Sequence, residues 1–111
     1  MPEKYPAARI VLTTINNIEE ASRIGSILVE ERLVACATVF PSVQSIYRWH
    51  DKLESTPEAM LLMKTGPDQI AALETRLLEL HHYQTPEFLV LSVESANAAY
   101  LQWLHASLLT P

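Results

Sequence analysis

The sequence predicts an α+β fold: a ferredoxin-like βαββαβ sandwich with a long hairpin between its second and third strands and an additional C-terminal helix. Segments with strand and helix patterns alternate so that a hairpin joins two βαβ halves. Right-handed crossovers then put both helices on one face of a four-stranded antiparallel sheet. The strands are also apolar on both faces, as in Met60-Leu61-Leu62-Met63 and Phe88-Leu89-Val90-Leu91. We therefore expect another copy of the chain to cover the second face.

The first strand and the first helix are predicted at the start of the chain. Residues 8–15 are apolar and rich in β-branched side chains, which favours a strand. Asn17 can cap the helix that follows, because Glu20 lies three residues further on, the spacing of a capping box. We expect this helix to continue to about Arg32. Gly25 lies inside it at a cost of about 1 kcal/mol relative to alanine, which close packing of the helix would explain.

A long hairpin is predicted next. Residues 34–40 form the second strand, and Pro41 introduces a bulge or bend because proline cannot donate to a strand ladder. Strand character resumes over residues 43–49. Residues 50–52 form a tight turn that lacks the usual glycine. The chain restarts at residues 53–54, and residues 59–65 form the third strand, so the two arms make a long hairpin.

The last three elements are predicted from their boundaries. Gly66-Pro67-Asp68 marks a helix start, since proline is favoured in the first turn and an acid is favoured near the positive end of the helix dipole. An apolar stripe continues that helix to about His82. After Pro86, residues 88–93 form a fourth strand, and Asn97 caps the final helix.

Composition limits the class of protein. The 111 residues form a single domain, 1–111, with a loose leader at 1–7. The formal net charge of -5 argues against a general nucleic-acid binder, because such a protein needs a basic face. The single cysteine excludes an internal disulfide. No apolar run reaches about 18 residues and no signal-peptide pattern opens the chain, so we expect a cytoplasmic protein that does not enter a membrane.

Four side chains are candidates for chemistry, each with a structural alternative. Cys36 could act as a nucleophile or a metal ligand, or as a small buried hydrophobe in an apolar strand. His81 and His82 end the second helix, where they could cap it, lie on the surface or supply one metal ligand. Glu87 could accept a proton or bind a cation, or pair with Lys64 or an arginine in a polar network.

The hairpin end carries Tyr47, Arg48 and Trp49. This aromatic and cationic group suits a small-molecule pocket or a protein interface, and we favour the interface for a hairpin that reaches beyond its own core. His50 and His105 are isolated and lack metal-ligand spacing. Two glycines are too few for a phosphate-binding loop, and no Ser/His/Asp order or paired carboxylates stand out. We therefore expect a protein that is not an enzyme.

The chain resembles the CutA family of divalent-cation tolerance proteins from about Ile10 to Leu108. Five blocks carry the resemblance, in order and at compatible spacing: residues 33–38 (LVACAT), 45–49 (SIYRW) with Lys52 and Glu54, 64–65 (KT), 81–87 (HHYQTPE) and 100–104 (YLQWL). Any one block is weak, whereas all five together are specific.

The resemblance implies a tight homotrimer, similar in architecture to the PII signalling proteins, with a role in tolerance to copper and other divalent metals. The alternative is a PII-like regulator or scaffold that binds a small molecule or a protein partner in clefts between subunits. Both hypotheses assign the same set of residues to a subunit interface or an intersubunit cleft: Tyr47, Trp49, Lys64, Tyr83, Glu87 and Trp103.

The resemblance also implies metal ligation, with fewer ligands than some relatives have. His81 with Glu87 is the minimal site for Cu(II), because Cu(II) accepts imidazole and carboxylate. Cys36 matches the family cysteine of the second strand. Thr13 stands where some bacterial members have a cysteine, and Leu80 stands where they have the first residue of a His-His-Pro-Tyr segment.

Overall fold

The computed structural model describes residues 7–109 and shows, over that range, a four-stranded antiparallel sheet and three α-helices. The elements are β1 (Arg9–Ile15), α1 (Ile18–Glu30), β2 (Cys36–Trp49), β3 (Lys52–Thr65), α2 (Ile70–Leu80, preceded by one 3₁₀ turn at Pro67–Gln69), β4 (Leu89–Ser92) and α3 (Ala98–Ala106). The strand order is β2-β3-β1-β4. The predicted ferredoxin-like α+β fold is confirmed, while the first six residues of the predicted leader lie outside the described residues.

Helix α1 begins where the sequence predicts and ends slightly earlier. The Asn17 side chain accepts a hydrogen bond from the backbone N–H of Glu20 at 2.8 Å, which satisfies one of the free donors of the first turn. The helix ends at Glu30 rather than near Arg32. Arg32 has a φ of 62°, the left-handed conformation that ends many helices and that glycine usually adopts.

Gly25 allows α1 to lie close to the sheet. A Cβ atom at this position would stand 3.1 Å from Ala37 Cβ and 3.2 Å from Leu61 Cδ1. Both distances are shorter than ordinary van der Waals contact, so a larger side chain would push the helix away from β2 and β3. The close packing explains why the sequence accepts glycine inside a helix.

Strands β2 and β3 form the long hairpin that the sequence predicts. Their pairing runs from Cys36 opposite Lys64 to Trp49 opposite Lys52, with a register shift between Phe40 and Val43, next to Pro41. Strand β1 ends opposite Ala59, so the outer part of the hairpin consists of two strands only. The hairpin extends the molecule to 47 Å in its longest dimension.

The hairpin turn uses two residues with positive φ and no glycine. His50 has a φ of 51° and Asp51 a φ of 63°. Positive φ at both central residues is the signature of a type I′ turn, whose twist matches that of the flanking strands. Asparagine and aspartate tolerate this conformation better than most residues, which fits Asp51 at the second position.

The main core lies between the sheet and the pair α1 and α2. Alternate residues of β1 and β3 point into it, and helix side chains complete it; the largest fully buried members are Val11, Ile15, Ile24, Leu28, Leu61, Met63, Leu73 and Leu77. Helix α3 packs through Leu101, Leu104 and Leu108 against Ala8 and Ala35 in a second, smaller cluster.

The opposite face of the sheet, here called the open face, is also apolar. The strand register places these side chains on it: Ile10, Leu12, Phe40, Met60, Leu62, Leu89 and Leu91. Phe40, Leu89 and Leu91 are 42%, 52% and 48% exposed in the single chain. The prediction that the strands are apolar on both faces is therefore confirmed. None of the helices in the described range has the length and apolarity needed to cross a membrane.

Two adjacent leucines of α2 test the assignment of the core. Leu77 is fully buried, whereas Leu78 is 47% exposed. Leu77→Ala should lower the free energy of unfolding by about 2–5 kcal/mol, because it leaves a cavity among well-packed side chains. Leu78→Ala, the matched control, should change it by about 0.5 kcal/mol or less. Urea denaturation at one protein concentration measures both, and equal losses would contradict the assignment.

Candidate functional site

A cleft of about 680 Å³ lies on the open face, where the hairpin leaves the sheet. We call it the hairpin cleft. Its lining is mostly polar and aromatic: Thr14, Asn16, Ser45, Ile46, Tyr47, Trp49, Thr56, Glu58, Tyr83, Gln84, Thr85 and Glu87. The cleft brings together four of the six residues that the sequence assigned to an interface or an intersubunit cleft, namely Tyr47, Trp49, Tyr83 and Glu87.

Two parts of the chain form this cleft. Residues directly opposite each other in an antiparallel pair share a face of the sheet. Tyr47 pairs with Glu54 and Val43 with Glu58, and these four side chains lie on the same side of the hairpin as the open face. The segment 83–87, which follows α2, lies over the base of the hairpin. The hairpin and the connector before β4 thus form the two walls.

Glu58 is the most buried acid of the cleft. It is 8% exposed, and its Oε2 accepts a hydrogen bond from the Tyr83 hydroxyl at 2.5 Å. Burial of the phenol raises the pKa of Tyr83, and the hydrogen bond to Glu58 and the charge of that carboxylate raise it further. Tyr83 is therefore a stable hydrogen-bond donor, and it links segment 83–87 to β3.

Glu87 is the second acid of the cleft. Burial raises the pKa of its carboxyl group, and the negative charge of Glu58 adds to this effect. Glu87 takes part in none of the ion pairs found among residues 7–109, so the pairing with Lys64 considered from the sequence is not formed. Two carboxyl groups thus share the cleft without a cationic side chain between them.

Aromatic side chains form the outer part of the cleft. The Tyr47 hydroxyl lies 3.1 Å from Thr56 Oγ1 across the hairpin. The Trp49 ring packs edge-on against His50, with the ring centroids 5.0 Å apart. Arg48 pairs with Leu53 on the opposite face of the hairpin, as the alternation of side chains predicts.

His81 is held at the end of α2 in a neutral form. Its Nδ1 accepts a hydrogen bond from the backbone N–H of Tyr83 at 3.2 Å. Nε2 therefore carries the proton and donates to the Thr14 carbonyl at 2.9 Å. Burial lowers the pKa of His81 and outweighs the bond to Thr14, which acts in the opposite direction. Both ring nitrogens are occupied, so His81 acts as a structural link between α2, β1 and segment 83–87.

The candidate metal ligands do not converge within one chain. Cys36 pairs with Lys64 across the hairpin. Lys64 lies six positions from Glu58 along β3, so Cys36 is about 20 Å from the Glu58 end of the strand at 3.3 Å per residue. His82 lies on the surface, where its Nε2 is 2.8 Å from Glu20 Oε1. Among residues 7–109, no group of three or more His, Cys, Asp or Glu side chains is placed to hold a metal ion. The residues of a single chain therefore do not fit a complete metal site.

Thr13 adds a second observation about metal ligation. Its side chain is fully buried on the helix-facing side of β1, and its Oγ1 is the one buried side-chain oxygen or nitrogen without a hydrogen-bond partner in the described range. Thr13 therefore faces the apolar core, on the other side of the sheet from the hairpin cleft. It does not add a ligand to that cleft.

Two predicted interface residues lie outside the cleft. The Lys64 Nζ atom is 5.8 Å from the centroid of the Tyr100 ring, a distance that permits a cation–π contact. Trp103 is 48% exposed on α3 and packs against Tyr100 with the ring centroids 5.4 Å apart. Lys64, which is half-buried, and the exposed Tyr100 and Trp103 form a separate group near the start of β1. His105, also on α3, lies 2.6 Å from the Ala7 carbonyl through its Nε2.

Sequence reasoning missed Glu58 as a site residue. The sequence contained a signal for it. Glu58 directly precedes the apolar run 59–63, and an acid at that position of β3 interrupts an otherwise apolar open face. Its partner Tyr83 lies 25 positions further along the chain. Only the packing of α2 on the sheet brings the two together.

The neutral state of His81 gives a pH dependence of stability. The folded chain lowers the pKa of His81 from 6.5, so near that pH the unfolded chain binds more protons than the folded one. The contribution of neutral His81 to the free energy of unfolding is fully present above about pH 6.5 and is lost as the pH falls. His81→Gln should therefore lose less stability than wild type between pH 7.5 and pH 5.5 in urea denaturation. His50→Gln is the control, since it removes an exposed imidazole; an equal effect of that change would contradict the assignment.

Comparisons with known proteins identify the family of this chain. Residues 9–107 match the family described as CutA1 divalent ion tolerance protein. The divalent-cation tolerance protein CutA of Yersinia pestis is 42% identical over 105 residues, which cover 95% of this chain and 88% of that protein. CutA1 from Oryza sativa superposes with a TM-score of 0.93 at 28% identity, covering 98% of this chain and 100% of that one.

A third relative bears on location. The CutA protein of Archaeoglobus fulgidus, described as a periplasmic divalent cation tolerance protein, superposes with a TM-score of 0.87 at 27% identity, covering 90% of this chain and 97% of that one.

The family match spans nearly all of the described range, and the fold agrees with that of the solved structures. The chain therefore belongs to the CutA1 family of divalent ion tolerance proteins.

Proposed function

We propose that this protein acts in the tolerance of divalent cations as a homotrimer without enzymatic activity. The observation that carries the proposal is the family match over residues 9–107, together with the 42% identity to a divalent-cation tolerance protein. The described cleft contains no Ser/His/Asp or Cys/His arrangement of the kind that nucleophilic catalysis requires.

The open face supports assembly. Its apolar side chains include Leu89 and Leu91 on β4, about half of whose surface is exposed in the single chain. A continuous apolar patch of this kind marks a protein interface in a soluble protein. The number of three subunits follows from the resemblance to the CutA family, and a PII-like arrangement would place the hairpins at the subunit boundaries.

We propose Cu(II) as the first metal to test, with His81 and Glu87 as the minimal ligands. Cu(II) accepts imidazole nitrogen and carboxylate oxygen. His81 can offer a lone pair only if its Nδ1 gives up the 3.2 Å bond from the Tyr83 N–H. Since one chain supplies two such groups near the cleft, further ligands must come from a neighbouring subunit or from water. Cys36 would join only from another subunit.

A cytoplasmic location is also part of the proposal. The single cysteine forms no internal disulfide, which suits a reducing compartment. A periplasmic location, the description given for the Archaeoglobus fulgidus relative, is the alternative. Fractionation of cells that produce the full chain distinguishes the two.

The hairpin cleft favours a second candidate function. The hypothesis of a PII-like regulator predicts a pocket lined by some of Tyr47, Trp49, Lys64, Tyr83 and Glu87, and four of these five line one cleft. This supports binding of a small molecule, alone or in addition to a role in metal tolerance.

Calorimetric titration with Cu(II) and Zn(II) tests direct metal binding. We expect saturable binding of Cu(II) at micromolar concentration. His81→Ala and Glu87→Gln should each weaken it by roughly tenfold or more, since even the loss of an outer-shell partner costs about that much.

The control is His50→Ala, which removes an exposed imidazole from the hairpin turn and should leave Cu(II) affinity unchanged. Because His81→Ala also removes two structural hydrogen bonds, Glu87→Gln provides a second measurement that does not disturb the end of α2. Absence of saturable binding to the wild-type protein would contradict direct metal binding as its function.

A further inference from the structure

We infer that the hairpin cleft binds an organic ammonium cation, through its two carboxyl groups and the aromatic rings at its outer end. This inference rests on the small-molecule function proposed for the hairpin cleft and not on the role in metal tolerance. It concerns a different chemical class of ligand, and it uses Glu58 and Tyr47, which the proposed Cu(II) site does not use.

The side chains that line the cleft are acidic or neutral. The cleft contains two acids, Glu58 and Glu87, and no lysine, arginine or histidine among its lining residues. Lys64, the cation that the sequence placed nearest, lies against the Tyr100 ring instead. The remaining polar lining consists of hydroxyl and amide groups, which can accept hydrogen bonds from a cation as well. The cleft therefore selects against anions and favours a positive charge.

The carboxylate of Glu58 has unused acceptor capacity. It is 8% exposed, and within the described residues its side-chain partner is the Tyr83 hydroxyl. An ionised carboxylate offers about four acceptor positions, and a largely buried charge is costly unless it is paired. Glu87, the second acid, lines the same cleft. An ammonium group in the cleft has three N–H donors and can pair with both acids.

Aromatic side chains provide the second kind of contact. Tyr47, Trp49 and Tyr83 all line the cleft, and Tyr47 and Trp49 are 41% and 40% exposed in the single chain. Aromatic faces attract ammonium groups and also cover the alkyl part of an organic cation. This combination of rings and carboxylates is characteristic of sites for organic ammonium ligands.

A bare metal ion fits the cleft less well than an organic cation. A divalent metal needs several ligands at fixed distances, and the described residues contain no cluster of three metal-ligating side chains. A volume of about 680 Å³ is also within the size range of small-molecule sites and far larger than an ion requires.

A second copy of the chain is a poorer occupant than a small cation. The part of the open face formed by Leu62, Leu89 and Leu91 is apolar, whereas the cleft contains hydroxyl, amide and carboxyl groups. Burying those polar groups against a neighbour would require matched partners for each of them. We therefore assign the main subunit contact to the apolar part and ligand binding to the cleft, which would lie at a subunit boundary in the PII-like arrangement proposed above.

Three probes of the same length and different charge test the inference on the assembled, full-length protein. In NMR titrations, n-butylammonium should shift the amide signals of cleft residues saturably at millimolar concentration. The affinity for the neutral n-butanol should be lower by at least about fivefold, because n-butanol lacks the charge. Butyrate should not bind. Equal binding of butanol, binding of butyrate, shifts confined to other surfaces, or no saturable shift would each overturn the inference.

Paired variants identify the contacts. Tyr47→Leu removes the ring and should weaken n-butylammonium binding by about threefold or more, whereas Tyr47→Phe keeps the ring and should retain it. Glu87→Gln should weaken binding, whereas Glu94→Gln, which removes an exposed acid outside the cleft, should not. If Tyr47→Leu binds as well as wild type, or Glu94→Gln weakens binding as much as Glu87→Gln, the assignment is wrong.

Two further titrations separate this site from the proposed metal site. Addition of Mg²⁺ at the same concentration as n-butylammonium should not reproduce its shifts; if it does, the cleft is a simple cation site and the inference fails. Tyr47→Leu should leave Cu(II) calorimetry unchanged, and Cu(II) binding can fail in the wild type while n-butylammonium still binds. The two proposals can thus be contradicted independently.

Discussion

The structure depends on one constraint: a four-stranded sheet is apolar on both faces, while the chain packs only α1 and α2 against one of them. The helix-facing side is closed by a dense core, in which Gly25 lets α1 approach Ala37 and Leu61 to near the contact limit. The open face retains large exposed side chains such as Leu89 and Leu91. Hydrophobic burial favours covering that area, so the same pattern that specifies the fold also favours assembly.

The constraint also explains where a ligand site can form. At the base of the hairpin, β1 ends opposite Ala59 and the sheet narrows from four strands to two. There the open face gains hydroxyl, amide and carboxyl groups beside its aromatic rings, and segment 83–87 closes over Glu58 through the Tyr83 hydroxyl. His81 fixes that segment because both of its ring nitrogens are hydrogen-bonded. A side chain that sequence comparison suggests as a metal ligand thus acts here, within one chain, as a structural anchor for the cleft.

Local signals in the sequence predicted most of the fold. Asn17 and Asn97 cap their helices through their side chains, and Pro41 lies at the register shift of the long hairpin. The early end of α1 was not predictable, because Arg32 adopts a left-handed conformation that usually signals glycine. The cleft was predictable only in part. Its aromatic residues and Glu87 belong to recognisable segments, but the pairing of Glu58 with Tyr83 depends on how α2 packs, which spacing alone does not determine.

Assembly of several copies of the chain would cover the open face. Light scattering of the full-length protein at micromolar concentration tests it most directly, because the mass counts the subunits without assuming which residues touch. We expect a mass of three times the 12.5 kDa of one chain, which persists until dilution also unfolds the protein. A folded, stable species with the mass of a single chain at that concentration would contradict it.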